Sequence, residues 1–302
     1  MSLVSERSRA PSTSRVQRTY EGRRAALWSD LHTRFVRAAG EDNRLKRIGR
    51  EFLHNVGRRV ASASVNDGPP SVCDVGCGNA HLIADLMRHA GRGYFLGVDR
   101  SFAMLTEADA VLRGVVAALP KVVYDLVGAD ASSLPVPDEV FDLVTAKLVL
   151  HHLADPLLFL QEAARIVRRR GRVLVLVPGP RYQDRIRLGR GQWLSTGFPP
   201  KRGPGHRDPL GRFCVRELQE LAKRAGLLPS VVYVDSWVYR YRGLGGYLGF
   251  MGQTGADAKL REYRAEASDW SAPYSGILSS LAKITGPLYL SGEFLTLEAI
   301  KE

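Results

Sequence analysis

Cysteines and long apolar runs are scarce in this sequence. Three cysteines among 302 residues cannot form a framework of several disulfides, so we expect a reducing environment and predict a cytoplasmic protein. Cys73 and Cys77 have no group of His or Cys residues beside them, which argues against a metal site. No apolar run approaches the ~20 residues that span a bilayer, and the first residues lack the apolar segment of a secretory signal.

Negative charge is also low relative to positive charge. The formal net charge is +12, and two segments are strongly basic. Residues 1–62 hold 14 Lys and Arg against 6 Asp and Glu, and residues 180–225 hold 11 against 4. This excess permits a nucleic acid or another polyanion as partner, but a solvated basic surface would have the same composition.

Short β-rich runs alternate with helical patterns of roughly 10–15 residues, which predicts an α/β protein. The predicted strands are Val72–Val75, Tyr94–Asp99, Val122–Asp130, Phe141–Ala146, Arg172–Val177, Ser230–Val238 and Gly292–Ile300. The predicted helices between them are His81–His89, Ala103–Val115, Pro156–Val167 and Val215–Ala225, the third closed by Arg168–Gly171. We therefore expect a Rossmann-like, doubly wound, mostly parallel sheet of seven strands that binds its ligand at the strand carboxyl ends.

The composition also predicts how the chain is divided. Residues 1–16 are polar and predicted to be a disordered tail, and residues 17–66 have the apolar spacing of an N-terminal helical lid. Residues 67–180 form the predicted ligand-binding core, which resumes in a helix and strand at 213–240 and a final strand at 292–302. The segments 181–212 and 241–291 are predicted to be inserted caps that shape the substrate pocket.

The glycine turn that follows the first predicted strand is the most informative motif. It reads Asp74-Val-Gly76-Cys-Gly78-Asn-Ala80, a strand end, a turn and a helix start. Glycines at 76 and 78 let the backbone turn sharply and let a ligand approach it closely. Asp74 would repel a phosphate, so the turn favours a cationic or hydroxyl-bearing ligand over the pyrophosphate of NAD.

Four motifs in order resemble the class I S-adenosylmethionine-dependent methyltransferases, in particular the type 11 group that includes the quinone C-methyltransferases. The glycine turn resembles the family's acidic-x-Gly-x-Gly-x-Gly loop, with Ala80 in place of the third glycine. The others are Gly97–Ser101, then Gly128–Ala131 with Leu134-Pro135, and then Phe141–Val144 continuing to His151–Pro156. The resemblance covers about residues 70–180 well and the later strands loosely.

The resemblance implies S-adenosylmethionine as cofactor and assigns roles to residues along the strand ends. Asp99 would bind the ribose hydroxyls, Asp130 and Ala131 the adenine, and Asp74 the methionine ammonium. Lys147 either reaches the methionine carboxylate or covers the pocket wall with its alkyl chain. The predicted cofactor-binding residues are Asp74, Gly76, Cys77, Gly78, Asp99, Arg100, Asp130, Ala131 and Lys147.

The methyl acceptor is less well specified by the sequence. We expect a small aromatic or hydrophobic metabolite, such as a natural product or quinone precursor, with His151 or His152 as a general base beside the cofactor. A local packing role for the two histidines stays open. The alternatives are an RNA or tRNA methyltransferase, favoured by the basic segments, and a regulator that binds the cofactor without catalysis.

Overall fold

The computed structural model describes residues 68–182, 184–195, 211–241 and 286–302. The predicted tail and helical lid, half of the first predicted insertion and most of the second lie outside the described residues. Within the described part, strands β1 (Ser71–Val75), β2 (Gly93–Asp99), β3 (Val122–Gly128), β4 (Phe141–Lys147) and β5 (Val167–Pro178) alternate with helices. These helices are α1 (His81–Ala90), α2 (Phe102–Val116) and α3 (Pro156–Ile166), with a short 3₁₀ helix at Leu150–His152.

The rest of the described chain completes the sheet. It forms β6 (Arg185–Leu188), β7 (Trp193–Ser195), α4 (Val215–Arg224), β8 (Leu228–Tyr241) and β9 (Leu288–Ile300). Strands β1 to β5 are parallel in the order β3-β2-β1-β4-β5. β9 runs antiparallel between β5 and β8, and its first residues also pair with β6. The predicted doubly wound α/β class is confirmed.

The sheet has nine strands among the described residues, whereas the sequence pattern predicted seven. The seven predicted strands are all present, and β6 and β7 form an additional antiparallel hairpin at 185–195. This hairpin lies past the end of β5, where β9 continues beyond its last pair with β5, Phe294 opposite Pro178. Its strands have four and three residues, too few for a clear period-2 pattern.

Two apolar clusters cover the two faces of the sheet. One contains the buried faces of α1 and α2 with residues such as Phe95, Leu112 and Leu176. The other contains the buried faces of α3 and α4, with Phe159, Leu218 and further residues of β1, β4, β5 and β9. The central strands β1 and β4 are buried on both faces almost throughout, as parallel strands under helices on both sides should be.

Side-chain caps set the starts of two helices. The Asp155 carboxylate accepts from the Leu157 backbone N–H at 2.9 Å, and Pro156 occupies the first turn of α3. Ser101 accepts from the Met104 N–H at the start of α2. None of the described helices is long and apolar enough to cross a membrane.

The predicted end of α3 at Arg168–Gly171 is wrong. The helix ends at Ile166, and β5 begins at Val167 with an irregular register against β4. Arg168 lies 2.9 Å from the buried Asp142 carboxylate, and the Arg170 N–H donates to the Lys301 carbonyl at 2.7 Å. The basic residues Arg168–Arg170 therefore belong to the irregular start of β5, because their partners are Asp142 on β4 and Lys301 after β9.

Candidate functional site

The predicted site residues lie at the carboxyl ends of four adjacent parallel strands. The glycine turn follows β1, Asp99 is the last residue of β2, Asp130 follows β3 by two residues, and Lys147 ends β4. Because β3, β2, β1 and β4 are neighbours in this order, these residues share one edge of the sheet. The strand order reverses between β1 and β4, and ligands bind at such a point in open α/β sheets.

Backbone hydrogen bonds and positive φ angles shape the glycine turn. The N–H groups of Gly76 and Cys77 both donate to the Val98 carbonyl, at 2.7 and 3.0 Å. Gly76, Gly78 and Ala80 have φ angles of 72°, 55° and 57°. At positions 76 and 78, glycine accommodates this left-handed geometry without strain.

Ala80 adopts the same backbone region with a methyl group, and it is fully buried at the start of α1. An alanine in this conformation costs about 1 kcal/mol relative to glycine. The chain therefore has a small strain at the position that corresponds to the third glycine of the acidic-x-Gly-x-Gly-x-Gly pattern.

The Asp99 carboxylate joins the glycine turn to the end of β2. It accepts from the Gly78 N–H and from the Ser101 N–H, both at 2.8 Å. Burial raises the pKa of Asp99, and the backbone N–H donors lower it by less. Each carboxylate oxygen can accept a further hydrogen bond, so Asp99 is arranged to bind hydroxyl groups of a ligand.

Asp74 is a buried carboxylate beneath the turn. Its side chain accepts a hydrogen bond from the Thr145 hydroxyl at 2.7 Å, and Thr145 is the only hydrogen-bond donor to it in the described part of the chain. Burial raises the pKa of Asp74 to about 7, while the Thr145 bond and Lys147 act in the opposite direction. A carboxylate with so few donors favours the approach of a cationic group.

Lys147 lies on the same strand as Thr145 and is partly buried. Burial lowers the pKa of Lys147, and the negative charges of Asp74 and Asp85 oppose this. No hydrogen bond or ion pair joins the Lys147 ammonium to another described residue, so this donor is available to a ligand anion. The geometry supports neither of the two predicted roles of Lys147 over the other.

Asp130, Arg100 and Ala131 lie in the loops that follow β2 and β3. The Asp130 carboxylate accepts from the Ser132 N–H and hydroxyl at 2.9 and 2.7 Å, and lies 3.6 Å from the Arg100 guanidinium. Burial opposes ionisation of Asp130, but these contacts outweigh it and lower its pKa. Ala131 packs beside the second apolar cluster. The Arg100 guanidinium therefore lies beside Asp130, the residue predicted to bind the adenine.

His151 and His152 form the 3₁₀ helix after β4, with ring centroids 3.8 Å apart. A Cβ atom at Gly211 would lie 2.6 Å from the His151 Cβ, so the segment before α4 packs closely against this helix. The structure thus places both histidines past the end of β4, next to the predicted cofactor edge. A catalytic role for either stays a prediction.

Three residues of this edge were not identified from the sequence. Thr145 pairs in register with Asp74, and in the sequence it is marked only as a hydroxyl residue between the buried apolar residues Val144 and Ala146. Val149 packs against Gly76, where a Cβ would approach Val149 Cγ2 to 2.3 Å. Leu148 has a φ of 59°, a strained conformation for a branched side chain. No local sequence pattern marks the last two, because both depend on how β4 meets the turn.

The described residues contain no group of three or more His, Cys, Asp or Glu residues that could hold a metal ion. The site instead combines a glycine turn, three carboxylates in different environments and one amine. Such a set can bind a ligand that carries hydroxyl groups, a cation and a planar base.

Comparison with known proteins agrees with this geometry. Residues 73–175 match the family described as the methyltransferase domain. This part of the chain is similar to a methyltransferase domain. Among the curated relatives of this methyltransferase domain, 2-phytyl-1,4-naphtoquinone methyltransferase of Synechococcus elongatus is 32% identical over 150 residues, 49% of this chain and 63% of that protein.

Two further relatives align over shorter stretches of the methyltransferase domain. A demethylmenaquinone methyltransferase of Shouchella clausii is 35% identical over 35% of this chain and 44% of that protein. The 27-O-demethylrifamycin SV methyltransferase of Amycolatopsis mediterranei is 36% identical over 35% of this chain and 39% of that protein. The chain thus matches less than two thirds of the length of each of these relatives.

Solved structures share the fold at low sequence identity. A protein of Bacillus halodurans C-125 superposes with a TM-score of 0.52 at 17% identity, covering 81% of this chain and 98% of that one. The YcgJ protein of Bacillus subtilis gives 0.51 at 18% identity, covering 82% and 98%. These similarities support the fold of the methyltransferase domain and do not bear on its substrate.

Proposed function

We propose that the protein is an S-adenosylmethionine-dependent methyltransferase that acts on a small-molecule acceptor. The observation that carries the proposal is the Asp99 carboxylate, which is held by the Gly78 and Ser101 N–H groups at the edge of the methyltransferase domain. An acid at the end of the second strand, fixed to the glycine turn of the first, is the arrangement that binds ribose hydroxyls.

The other residues of the edge fit the remaining groups of this cofactor. Asp74 would receive the methionine ammonium, since it is buried and its carboxylate has a single described hydrogen-bond donor. Gly76, Cys77 and Gly78 would present backbone to the methionine part, and Lys147 would bind its carboxylate. Asp130, Ala131 and Arg100 would border the adenine. When bound, S-adenosylmethionine supplies a methyl group activated by the sulfonium charge.

Positioning and exclusion of water account for much of the acceleration expected in an in-line displacement. In this proposal the rigid strand ends hold the cofactor-binding residues, and His151 or His152 accepts a proton from the acceptor where the acceptor needs one. The two imidazole rings belong to the 3₁₀ helix that follows shortly after Lys147, the last residue of β4.

A quinone precursor, a macrocyclic natural product or a related hydrophobic metabolite is the proposed acceptor. The names of the three relatives specify a naphthoquinone, a menaquinone precursor and a rifamycin. We assign the choice between them to the insertions at 181–212 and 241–291, and we propose a cytoplasmic enzyme of secondary metabolism.

A transfer assay tests this proposal. Purified protein is incubated with methyl-labelled S-adenosylmethionine and, in separate reactions, reduced naphthoquinones, aromatic natural products or bulk tRNA. We expect label in at least one small molecule, with His151→Phe reducing turnover but retaining cofactor binding. Label in tRNA alone would overturn the small-molecule assignment in favour of RNA methylation, and binding without transfer to any acceptor would favour a regulator.

A further inference from the structure

The β6–β7 hairpin carries an arginine between two aromatic rings, away from the glycine turn. Arg187 on β6 lies directly opposite Trp193 on β7 and Tyr289 on β9 in the register of the sheet. Its guanidinium carbon is 5.2 Å from the centroid of the Trp193 ring and 4.5 Å from that of the Tyr289 ring. Both distances are within the range of about 6 Å at which a cation is attracted to an aromatic face.

The hydrogen-bonding capacity of Arg187 is unused in the described part of the chain. Its Nε atom is buried and has no acceptor, and no carboxylate lies within ion-pair distance of the guanidinium among the described residues. A buried N–H group without an acceptor costs about 1–3 kcal/mol. A water, an ion or a ligand that accepts from such a group removes this cost.

The stacked rings define which ligand would fit. Aromatic contacts use the faces of a guanidinium and leave its N–H edges for acceptors in its own plane. A carboxylate or phosphate matches these edges with two parallel hydrogen bonds. Trp193 is 36% exposed, so the hairpin is open to solvent on this side.

Neighbouring charges favour the same ligand. Arg185 precedes Arg187 by two residues on β6 and therefore lies on the same face, and Arg240 lies opposite Tyr289 on β8. Neither arginine has an ion-pair partner among the described residues. The nearby acid Asp184 accepts a hydrogen bond from the Ser291 hydroxyl at 2.8 Å. The opposite face of the hairpin is buried core, with Ile186 and Leu290 fully packed.

We propose that Arg187, held between Trp193 and Tyr289, is the centre of a binding site for an oxyanionic group, a carboxylate or a phosphate. The site is formed by the hairpin and the first residues of β9. It does not depend on the proposed methyl transfer, because none of its residues belongs to the glycine-turn edge.

Calorimetric titration of the full chain with pyrophosphate and, separately, with citrate tests the proposal and distinguishes phosphate from carboxylate. We expect saturable 1:1 binding of at least one anion, weakened at least tenfold in Arg187→Gln and less in Arg187→Lys, which keeps the charge without the planar fork. Arg190→Gln is the matched control, since Arg190 is an exposed residue of the same hairpin. It should change the affinity less than twofold.

Equal losses in Arg187→Gln and Arg190→Gln would overturn the site, because they would indicate a general charge effect. Absence of binding of both anions to the native chain would overturn it as well. If Arg187→Gln does not fold, NMR of the ¹⁵N-labelled native protein tests the proposal instead, through the arginine Nε–H resonances. One slowly exchanging resonance, absent in Arg187→Lys, should shift saturably with the anion, and a resonance that does not respond contradicts the proposal.

Discussion

Asp74 carries a charge that the folded protein stabilises poorly without a ligand. Its pKa of about 7 means that the carboxyl group is largely protonated below neutral pH in the free protein. A cationic ligand binds the ionised form, so its affinity should depend on pH in the range where other carboxylates are already ionised.

We predict that the affinity for S-adenosylmethionine falls roughly five- to tenfold between pH 7.5 and 6.0, since the ionised fraction of Asp74 falls by about that factor. Asp74→Asn should bind weakly at both pH values and show little pH dependence. Calorimetric titrations at the two pH values measure this. A native affinity that is constant over this range would show that the Asp74 charge does not contribute to binding.

Thr145 provides a matched pair of control variants. Thr145→Val removes the hydroxyl that lowers the pKa of Asp74 and keeps the shape of the side chain, so the pH profile of binding should move to higher pH. Thr145→Ser keeps the hydroxyl and should leave the profile close to the native one. If both variants move the profile equally, the effect comes from packing and not from the hydrogen bond.

At the junction of β1, β4 and the 3₁₀ helix, Val149 packs where a side chain at position 76 would lie. We predict that Gly76→Ala destabilises the protein by about 3–5 kcal/mol, because it combines an unfavourable φ with overpacking. Gly91→Ala is the control: its φ is 66°, but no atom lies within 4 Å of the added Cβ. It should cost only about 1 kcal/mol.

Chemical denaturation of the single variants and of the double variant Gly76→Ala/Val149→Ala completes this comparison. The double variant should recover part of the loss, since the clashing methyl groups are removed. A loss at position 76 no greater than that at 91 would mean that Val149 does not restrict the turn.

The elements that were predicted correctly are those with strong local signals. β1, α1 and β2 combine buried apolar periodicity with glycine, and their order is enough to place Asp74 and Asp99 at one edge. The β6–β7 hairpin was missed because its strands are short. The end of α3 was wrong because the partners of Arg168–Arg170 are distant in the sequence. Thr145 and Val149 were missed for the same reason, since their roles depend on contacts between separate strands.

Strand β9 joins β8 and the β6–β7 hairpin to the parallel strands, since it pairs with β5, β6 and β8. It contains Glu298, which is fully buried and forms an ion pair with Arg172 of β5. Removal of one partner from such a pair leaves an uncompensated buried charge, whereas replacing both by apolar residues is often neutral.

We therefore predict that Arg172→Met, which leaves the fully buried Glu298 without this partner, destabilises the protein by about 3–5 kcal/mol and that Arg172→Met/Glu298→Leu has a stability close to the native value. Glu220→Ala, which breaks the exposed Arg216–Glu220 pair on α4, should cost less than about 1 kcal/mol. Urea denaturation measures all three. A double variant as unstable as Arg172→Met would contradict this view of the pair.

The central claim for the whole molecule is that the carboxyl edge of β1, β2 and β4 binds S-adenosylmethionine through Asp99. Its most direct test is the dissociation constant from calorimetry for the native chain, Asp99→Asn and the exposed control Asp125→Asn, with thermal unfolding measured in parallel. We predict 1:1 binding by the native chain and the control, and at least ~30-fold weaker binding, about 2 kcal/mol, by folded Asp99→Asn. No binding by the native chain, or equal affinities of all three proteins, would contradict the account.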